Sequence, residues 1–318
     1  MIPAERVTAA IRRFAMRSCG EPVQALGTAL RRRHGEAVVA ILFYGSCLRE
    51  LDLDHGIADF YVLVDRYRDA RIGRLKGLLN RLLPPNVYYL EVKHGERTLR
   101  TKYAVVALDQ WLSGVRGEWF HPYLWARFAQ PVTVLHARDA ETRETVIDAC
   151  AAAARHFLHE SVPLAPPRFD VETVWHCGLL ASYATEFRAE RDERIRALTG
   201  YWPDYYAEIT AGTLPLLPWP VQSFGGEGRH RQYSAQIPAA ERRRCRRRWR
   251  LRQLVGKSLA LARLIKSLFT FSGAVPYAAW KIERHTGEPV ELSPLARRWP
   301  LIGGWVVLWR LLRRGSLR

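Results

Sequence analysis

Two apolar runs frame the residues best placed to do chemistry. Ala40-Ile41-Leu42-Phe43-Tyr44 stops at Gly45-Ser46, and thirteen residues after the serine Ala58-Asp59-Phe60-Tyr61-Val62-Leu63-Val64 carries a carboxylate near its start. Read together, they predict two strands flanking a nucleotide-triphosphate site. A glycine lets backbone approach a phosphate closely, and a serine hydroxyl with nearby N–H groups at a helix start can hold phosphate oxygens. Asp59 would then hold a divalent metal on the same phosphates. A Gly-Ser pair by itself also fits an ordinary turn, so the reading depends on what surrounds it.

The scaffold such a pair needs is α/β. Stretches at 86–93, 103–108 and 132–135 predict strands beside those at 37–44 and 59–65. Helical spacing runs over 4–19, where Val7, Ile11 and Phe14 are separated by Arg12, Arg13 and Arg17, and over 70–83, where Ile72, Leu75, Leu79 and Leu82 share one face before Pro84-Pro85. Beyond Leu135 the pattern turns helical at 142–158, 171–197 and 250–271, with a Pro/Gly-rich loop over 210–228. The expected organisation is an N-terminal helical segment (1–35), an α/β nucleotidyltransferase-like domain (36–140), an all-helical domain (141–286) and a C-terminal amphipathic tail (287–318).

Charge is the unusual quantity. Among 318 residues, 49 Lys and Arg stand against 31 Asp and Glu, a formal net charge of +18, which predicts an anionic partner: nucleic acid, a membrane surface or a phosphorylated substrate. The five cysteines are isolated and odd in number, which argues for a reducing compartment and against a disulfide framework or a cysteine zinc site. His55, His94 and His121 have no partner at metal spacing, and His176 beside Trp175 reads as a packed or capped histidine. Met1 to Arg6 lacks a basic start followed by an apolar block, and the longest nearly apolar run, Pro300 to Trp309, is about half the roughly 20 residues a spanning helix needs. The expectation is a cytoplasmic protein, peripheral on the inner face of a membrane.

Several segments, in order from about 36 to 285, resemble the mitochondrial-type phosphatidate cytidylyltransferases, the translocator assembly and maintenance family. They are Phe43-Tyr44-Gly45-Ser46; Asp59-Phe60 through Val64-Asp65; Val87-Tyr88-Tyr89; Leu99-Arg100-Thr101-Lys102-Tyr103-Ala104-Val105-Val106, with Ala104 where the family has glycine; Asp109; Leu124-Trp125-Ala126-Arg127 through Gln130-Pro131-Val132; Ser182-Tyr183-Ala184-Thr185-Glu186-Phe187-Arg188 with Glu190; and Ile265-Lys266-Ser267-Leu268-Phe269-Thr270 through Tyr277 and Lys281.

The resemblance implies attack by the phosphate of phosphatidate on the α-phosphate of CTP with Mg²⁺, giving CDP-diacylglycerol and pyrophosphate in phospholipid biosynthesis. Asp59, Ser46 and Lys102 become the expected catalytic residues, with Asp59 as the magnesium ligand. Gly45, Ser46, Lys102, Tyr103 and Arg127 become the expected nucleotide-binding set, and Arg188 and Glu186 the substrate-binding pair. Glu186 stands where the family tends to have aspartate. Nucleotidyltransferases usually carry a second carboxylate two residues after the first, because strand alternation then puts both on one face. Here that position is Tyr61, leaving Asp52, Asp54, Asp65 and Glu91 as further candidates.

A lipid acceptor would also give the basic tail a purpose. Trp299, Trp305 and Trp309 beside Leu301, Ile302, Leu308, Leu311 and Leu312, with Arg310, Arg313 and Arg314, suit a helix lying in a membrane interface. Eight arginines among the eleven residues 242–252 suit an anionic surface. Packing of the tail onto the helical domain is the alternative. Two other functional readings remain at this point: transfer to another acceptor such as an RNA end, which lacks a recognisable RNA module, and nucleotide or lipid binding without turnover.

Overall fold

The computed structural model describes residues 2–50, 53, 56–186 and 192–270. Asp52, Asp54, His55, Arg188, Tyr277, Lys281 and the 287–318 tail lie outside the described residues.

In chain order, α1 (Pro3–Ala15) and α2 (Glu21–His34) precede β1 (Val38–Tyr44), the single turn α3 (Ser46–Glu50), β2 (Ala58–Val64), α4 (Arg74–Leu82), β3 (Asn86–His94), β4 (Arg97–Ala107), α5 (Leu108–Val115), α6 (Trp125–Phe128) and β5 (Thr133–Ala137). The five strands form one sheet in the order β3-β4-β2-β1-β5. It is mixed: β1 runs antiparallel to β2 and β5, β3 antiparallel to β4, and β2 parallel to β4.

Strand alternation divides the sheet into two cores. Phe43, Phe60, Val62, Tyr103 and Val105 point to the side covered by Val23, Leu26 and Leu30 of α2. Leu42, Tyr61, Leu63, Ala104 and Val106 point to the other side and join a larger core that runs through the second half of the chain. With both faces covered, the central strands read as almost unbroken apolar runs. Lys102 sits within β4, which begins six residues before the predicted strand at 103.

The second half comprises α7 (Ala140–Ser161), β6 (Arg168–Asp170), α8 (Val171–Tyr183), α9 (Asp192–Gly200), α10 (Pro203–Thr213), β7 (Val221–Phe224), β8 (Gln232–Ala235) and α11 (Ala239–Thr270). It is therefore not all helical: β6, β8 and β7 make a second, three-stranded sheet. Strands of three and four residues are too short to show a period-two pattern. The N-terminal segment is also divided, since Val7, Ala10 and Ile11 of α1 share the larger core with Trp175, Tyr205 and Tyr206 while α2 covers the opposite sheet face.

Helix α11 begins eleven residues before the predicted start at 250. Its arginine run hides an inward stripe, Cys245, Trp249 and Arg252, at helical spacing. Asp139 and Asp170 cap α7 and α8 by accepting from the Thr142 and Thr173 N–H groups, the usual way to satisfy first-turn donors. All five cysteines are free thiols. Among the described residues no helix is long and apolar enough to cross a membrane.

Candidate functional site

Strand register brings the predicted residues together. Across the larger-core face, Tyr44 pairs with Asp59, Asp59 with Lys102, and Lys102 with Tyr89, so four side chains from four adjacent strands form one row. Neighbouring strands lie about 4.8 Å apart, within reach of a lysine and a carboxylate, and Lys102 Nζ lies 3.2 Å from Asp59 Oδ1. A second cation–carboxylate pair follows on the same face, Arg100 Nε to Glu91 Oε1 at 3.3 Å, and the Tyr89 hydroxyl donates to Glu91 at 2.7 Å.

Gly45 turns the chain out of β1 with φ +88°, in the left-handed region where any Cβ is strained. A Cβ there would meet Asp59 Oδ2 at 2.9 Å, so the glycine is required both by its backbone and by the carboxylate packed against it. Half-buried Ser46 opens α3 directly after this turn, and Cys47 Sγ donates to the Ile57 carbonyl at 3.1 Å, tying α3 to the residues leading into β2. We expect Gly45→Ala to cost about 1–2 kcal/mol in backbone strain and to push the Asp59 carboxylate aside. A lowered thermal midpoint with a disproportionate loss of any Asp59-dependent activity checks this.

The position two residues after Asp59 has its own partner. Tyr61 is fully buried and its hydroxyl accepts from Arg127 Nη1 at 3.2 Å, while Arg127 Nη2 reaches Glu186 Oε1 at 3.3 Å. The Arg127 guanidinium also lies 5.7 Å from the Tyr44 ring centroid and 4.6 Å from that of Tyr123, within cation–π range. Burial, with the Asp59 charge adding to it, pushes the Tyr44 phenol well above the ordinary tyrosine range. Burial does the same to Tyr61. Both phenols stay protonated at neutral pH, and Tyr44 stands between the Asp59 carboxylate and the Arg127 cation.

Beyond Arg127 lies a cleft of ≈ 330 Å³ lined by His121, Tyr123, Thr185, Glu186, Arg263 and Ser267, among others. Arg263 lies 4.3 Å from the Tyr123 ring centroid, its Nε donates to the Pro84 carbonyl at 2.9 Å, and its Nη2 donates to His121 Nε2 at 3.5 Å. Burial first, then the Arg263 charge, lowers the His121 pKa to about 4, so this imidazole is neutral at neutral pH. Gly256 admits α11 to the cleft, because a Cβ there would strike the Thr185 carbonyl oxygen at 2.8 Å. The cleft is lined by one guanidinium, a neutral imidazole, hydroxyls and one carboxylate, and that carboxylate, Glu186, links it to Arg127, which lies over the ring of Tyr44.

Asp59, Lys102, Gly45 and Ser46 therefore gather at one end of the sheet, and Arg127 meets Glu186 at the adjoining cleft. Tyr103 does not join them. Alternation sends its ring to the opposite face, where it is 1% exposed and its hydroxyl lies 3.3 Å from His34 Nε2, away from the Asp59–Lys102 pair. Asp65 is also removed as a metal candidate: at the far end of β2 it receives Arg138 Nη1 at 2.5 Å and Nη2 at 3.2 Å. Glu91 shares the Asp59 face but is held by Arg100 and Tyr89. Tyr44, Tyr123, His121 and Arg263 were missed by sequence reasoning. For Tyr44 a signal existed in its place directly before the Gly45-Ser46 break.

Among the described residues no three His, Cys, Asp or Glu side chains gather as a metal cage. The donor set fits Mg²⁺ arriving on a triphosphate, a cation that commonly takes only one or two carboxylates with the rest from phosphates and water. Asp59 is the carboxylate that would hold it, beside the Lys102 ammonium.

No protein-family model matches the chain, and no curated protein matches it.

Proposed function

We propose that the chain is a magnesium-dependent nucleotidyltransferase that moves the cytidylyl group of CTP onto the phosphate of phosphatidate, releasing pyrophosphate. The observation that carries the reading is the Asp59–Lys102 pair, held at matched register on adjacent parallel strands beside the left-handed turn at Gly45. A carboxylate and an ammonium facing one glycine-cleared space form an arrangement suited to a metal-bound triphosphate.

In the reaction a phosphate oxygen of the acceptor bonds to the α-phosphorus of CTP, the bond to the α–β bridging oxygen breaks, and pyrophosphate leaves with that electron pair. Magnesium, when bound with the nucleotide, neutralises charge on the triphosphate. The protein's own part is positional and electrostatic. Lys102 fixes one Asp59 oxygen and adds positive charge at the triphosphate, while Gly45 keeps the other oxygen clear. Arg263 gives the cleft a planar cation suited to an acceptor phosphate, and Arg127 holds its Glu186 wall.

Two measurements test this. Purified protein with CTP and Mg²⁺ should release pyrophosphate when vesicles contain phosphatidate and not otherwise; tight CTP binding without release would favour a binding-only protein, and release driven by an RNA end would move the acceptor. Arg127→Lys should lower kcat/KM roughly tenfold to a hundredfold, because a single ammonium cannot span Tyr61 and Glu186 while stacking on Tyr44 and Tyr123. Unchanged kinetics in that variant would remove Arg127 from the site.

A further inference from the structure

Helix α4 is turned inside out. A helix laid on a core ordinarily buries its leucines, yet Leu75, Leu78 and Leu82 are 68%, 54% and 72% exposed. The inward side carries Gly77, where an added Cβ would stand 3.3 Å from Tyr67 Cβ, and Asn80, which is fully buried. Asn80 Nδ2 donates to the Val105 carbonyl at 2.8 Å and its Oδ1 accepts from the Asn86 N–H at 2.6 Å. Rotating the helix to bury the leucines would strip both backbone groups of their partners, at about 1–3 kcal/mol each. The outward leucines are thus fixed by buried hydrogen bonds.

The same apolar character continues onto α11. Leu264, Ile265 and Phe269 are 59%, 52% and 68% exposed. This half of α11 is tied to the end of α4: Lys266 Nζ donates to the Leu83 and Pro85 carbonyls and Arg263 Nε to that of Pro84. Leu264 also lines the cleft.

Charge selects what covers this surface. Neither 71–90 nor 242–270 contains a single Asp or Glu, while Arg74 and Arg81 on α4 and Lys257 on the C-terminal half of α11 are exposed. A second copy docked face to face would set the exposed cations of each copy against those of the other. An anionic bilayer supplies phosphates to the arginines and hydrocarbon to the leucines. We propose that α4 and the C-terminal half of α11 form a membrane-docking face, which inserts its leucines and Phe269 at the headgroup boundary and brings the cleft to the lipid surface. The choice of occupant rests on the lipid-acceptor reading above.

The test is sedimentation of the full-length protein with vesicles of phosphatidylcholine alone or with phosphatidylglycerol added. Neither contains phosphatidate, so an error in the acceptor does not register as failed docking. Wild-type protein should bind the anionic vesicles. The triple variant Leu75→Ser, Leu78→Ser, Leu82→Ser and, separately, Leu264→Ser with Phe269→Ser should each lose about tenfold or more in partition coefficient. Both sets change solvent-exposed positions and should leave the thermal midpoint unchanged, which circular dichroism confirms before binding is read. Wild-type binding by both variants, with loss only on removing 287–318, would overturn the proposal in favour of the tail. A fall in the variants' molecular mass without loss of vesicle binding would overturn it in favour of a second copy.

Discussion

On the proposed function, Asp59→Asn should abolish CTP-dependent pyrophosphate release, by roughly a thousandfold or more, while leaving the folded protein intact. The substitution keeps the side chain's shape, so Gly45 still clears it, but it removes the charge that a magnesium-bound triphosphate and Lys102 both answer. The stability side is small because the pair is not deeply buried: Lys102 is 40% exposed and Asp59 19%. A partly solvated ion pair contributes about 0–1 kcal/mol, so the thermal midpoint should shift little. Turnover within tenfold of wild type would remove Asp59 from the metal and triphosphate role and, with it, the nucleotidyltransferase reading. Nucleotide affinity measured in parallel tells whether the loss lies in binding or in the chemical step.

What could be read from the sequence was what period and turn chemistry encode locally. The strands holding Tyr44 and Asp59 announce themselves as apolar runs broken at Gly45-Ser46, and β1 and β2 lie within a residue of where those runs put them. Alternation could have excluded Tyr103 at once, since it adjoins Lys102 and must face the other way. Helix α4 shows the limit of periodicity: its leucine stripe was legible, but which side of a helix faces inward is decided by tertiary partners, here the hydrogen bonds of Asn80 to Val105 and Asn86. The cleft was illegible for another reason. Arg263, Tyr123 and Glu186 lie far apart in sequence, and Arg263 joins the other two because α11 crosses back to the end of α4. No spacing rule spans that distance. The arginine run had the opposite fault, reading as a patch for an anionic surface while Arg252 within it is 4% exposed.

That buried arginine sets the largest stability effect. Glu160→Gln should lower the unfolding free energy by about 3–5 kcal/mol, the usual result of removing one partner from a buried pair. Glu160 is 2% exposed, and its carboxylate receives Arg252 Nη1 at 2.5 Å and Arg248 Nη2 at 2.8 Å. Its backbone carbonyl accepts from Trp249 Nε1 at 3.1 Å and from Cys245 Sγ at 3.5 Å, so one residue of α7 holds four of α11. The Arg252 guanidinium stacks against Trp249, Trp125 and Phe120 at 5.0, 5.2 and 5.4 Å, a setting that leaves an unpaired cation little water. The pH dependence separates this account from simple loss of packing. Burial opposes ionisation of Glu160, but His159, Arg252 and Arg248 more than offset it and lower its pKa from 4.5 to about 2. The unfolded chain therefore takes up this proton first as pH falls, and the stability Glu160 contributes, complete above 4.5, is lost as pH drops toward 2. Burial lowers His156 and His121 from 6.5 to about 4, with the same sign, so wild-type stability should begin to decline below 6.5 and steepen below 4.5. In Glu160→Gln the decline between 6.5 and 4.5 should persist and the steeper part should flatten. Parallel wild-type and variant curves through the acid range, read from thermal midpoints, would show that the carboxylate's charge is not what holds α11 against α7.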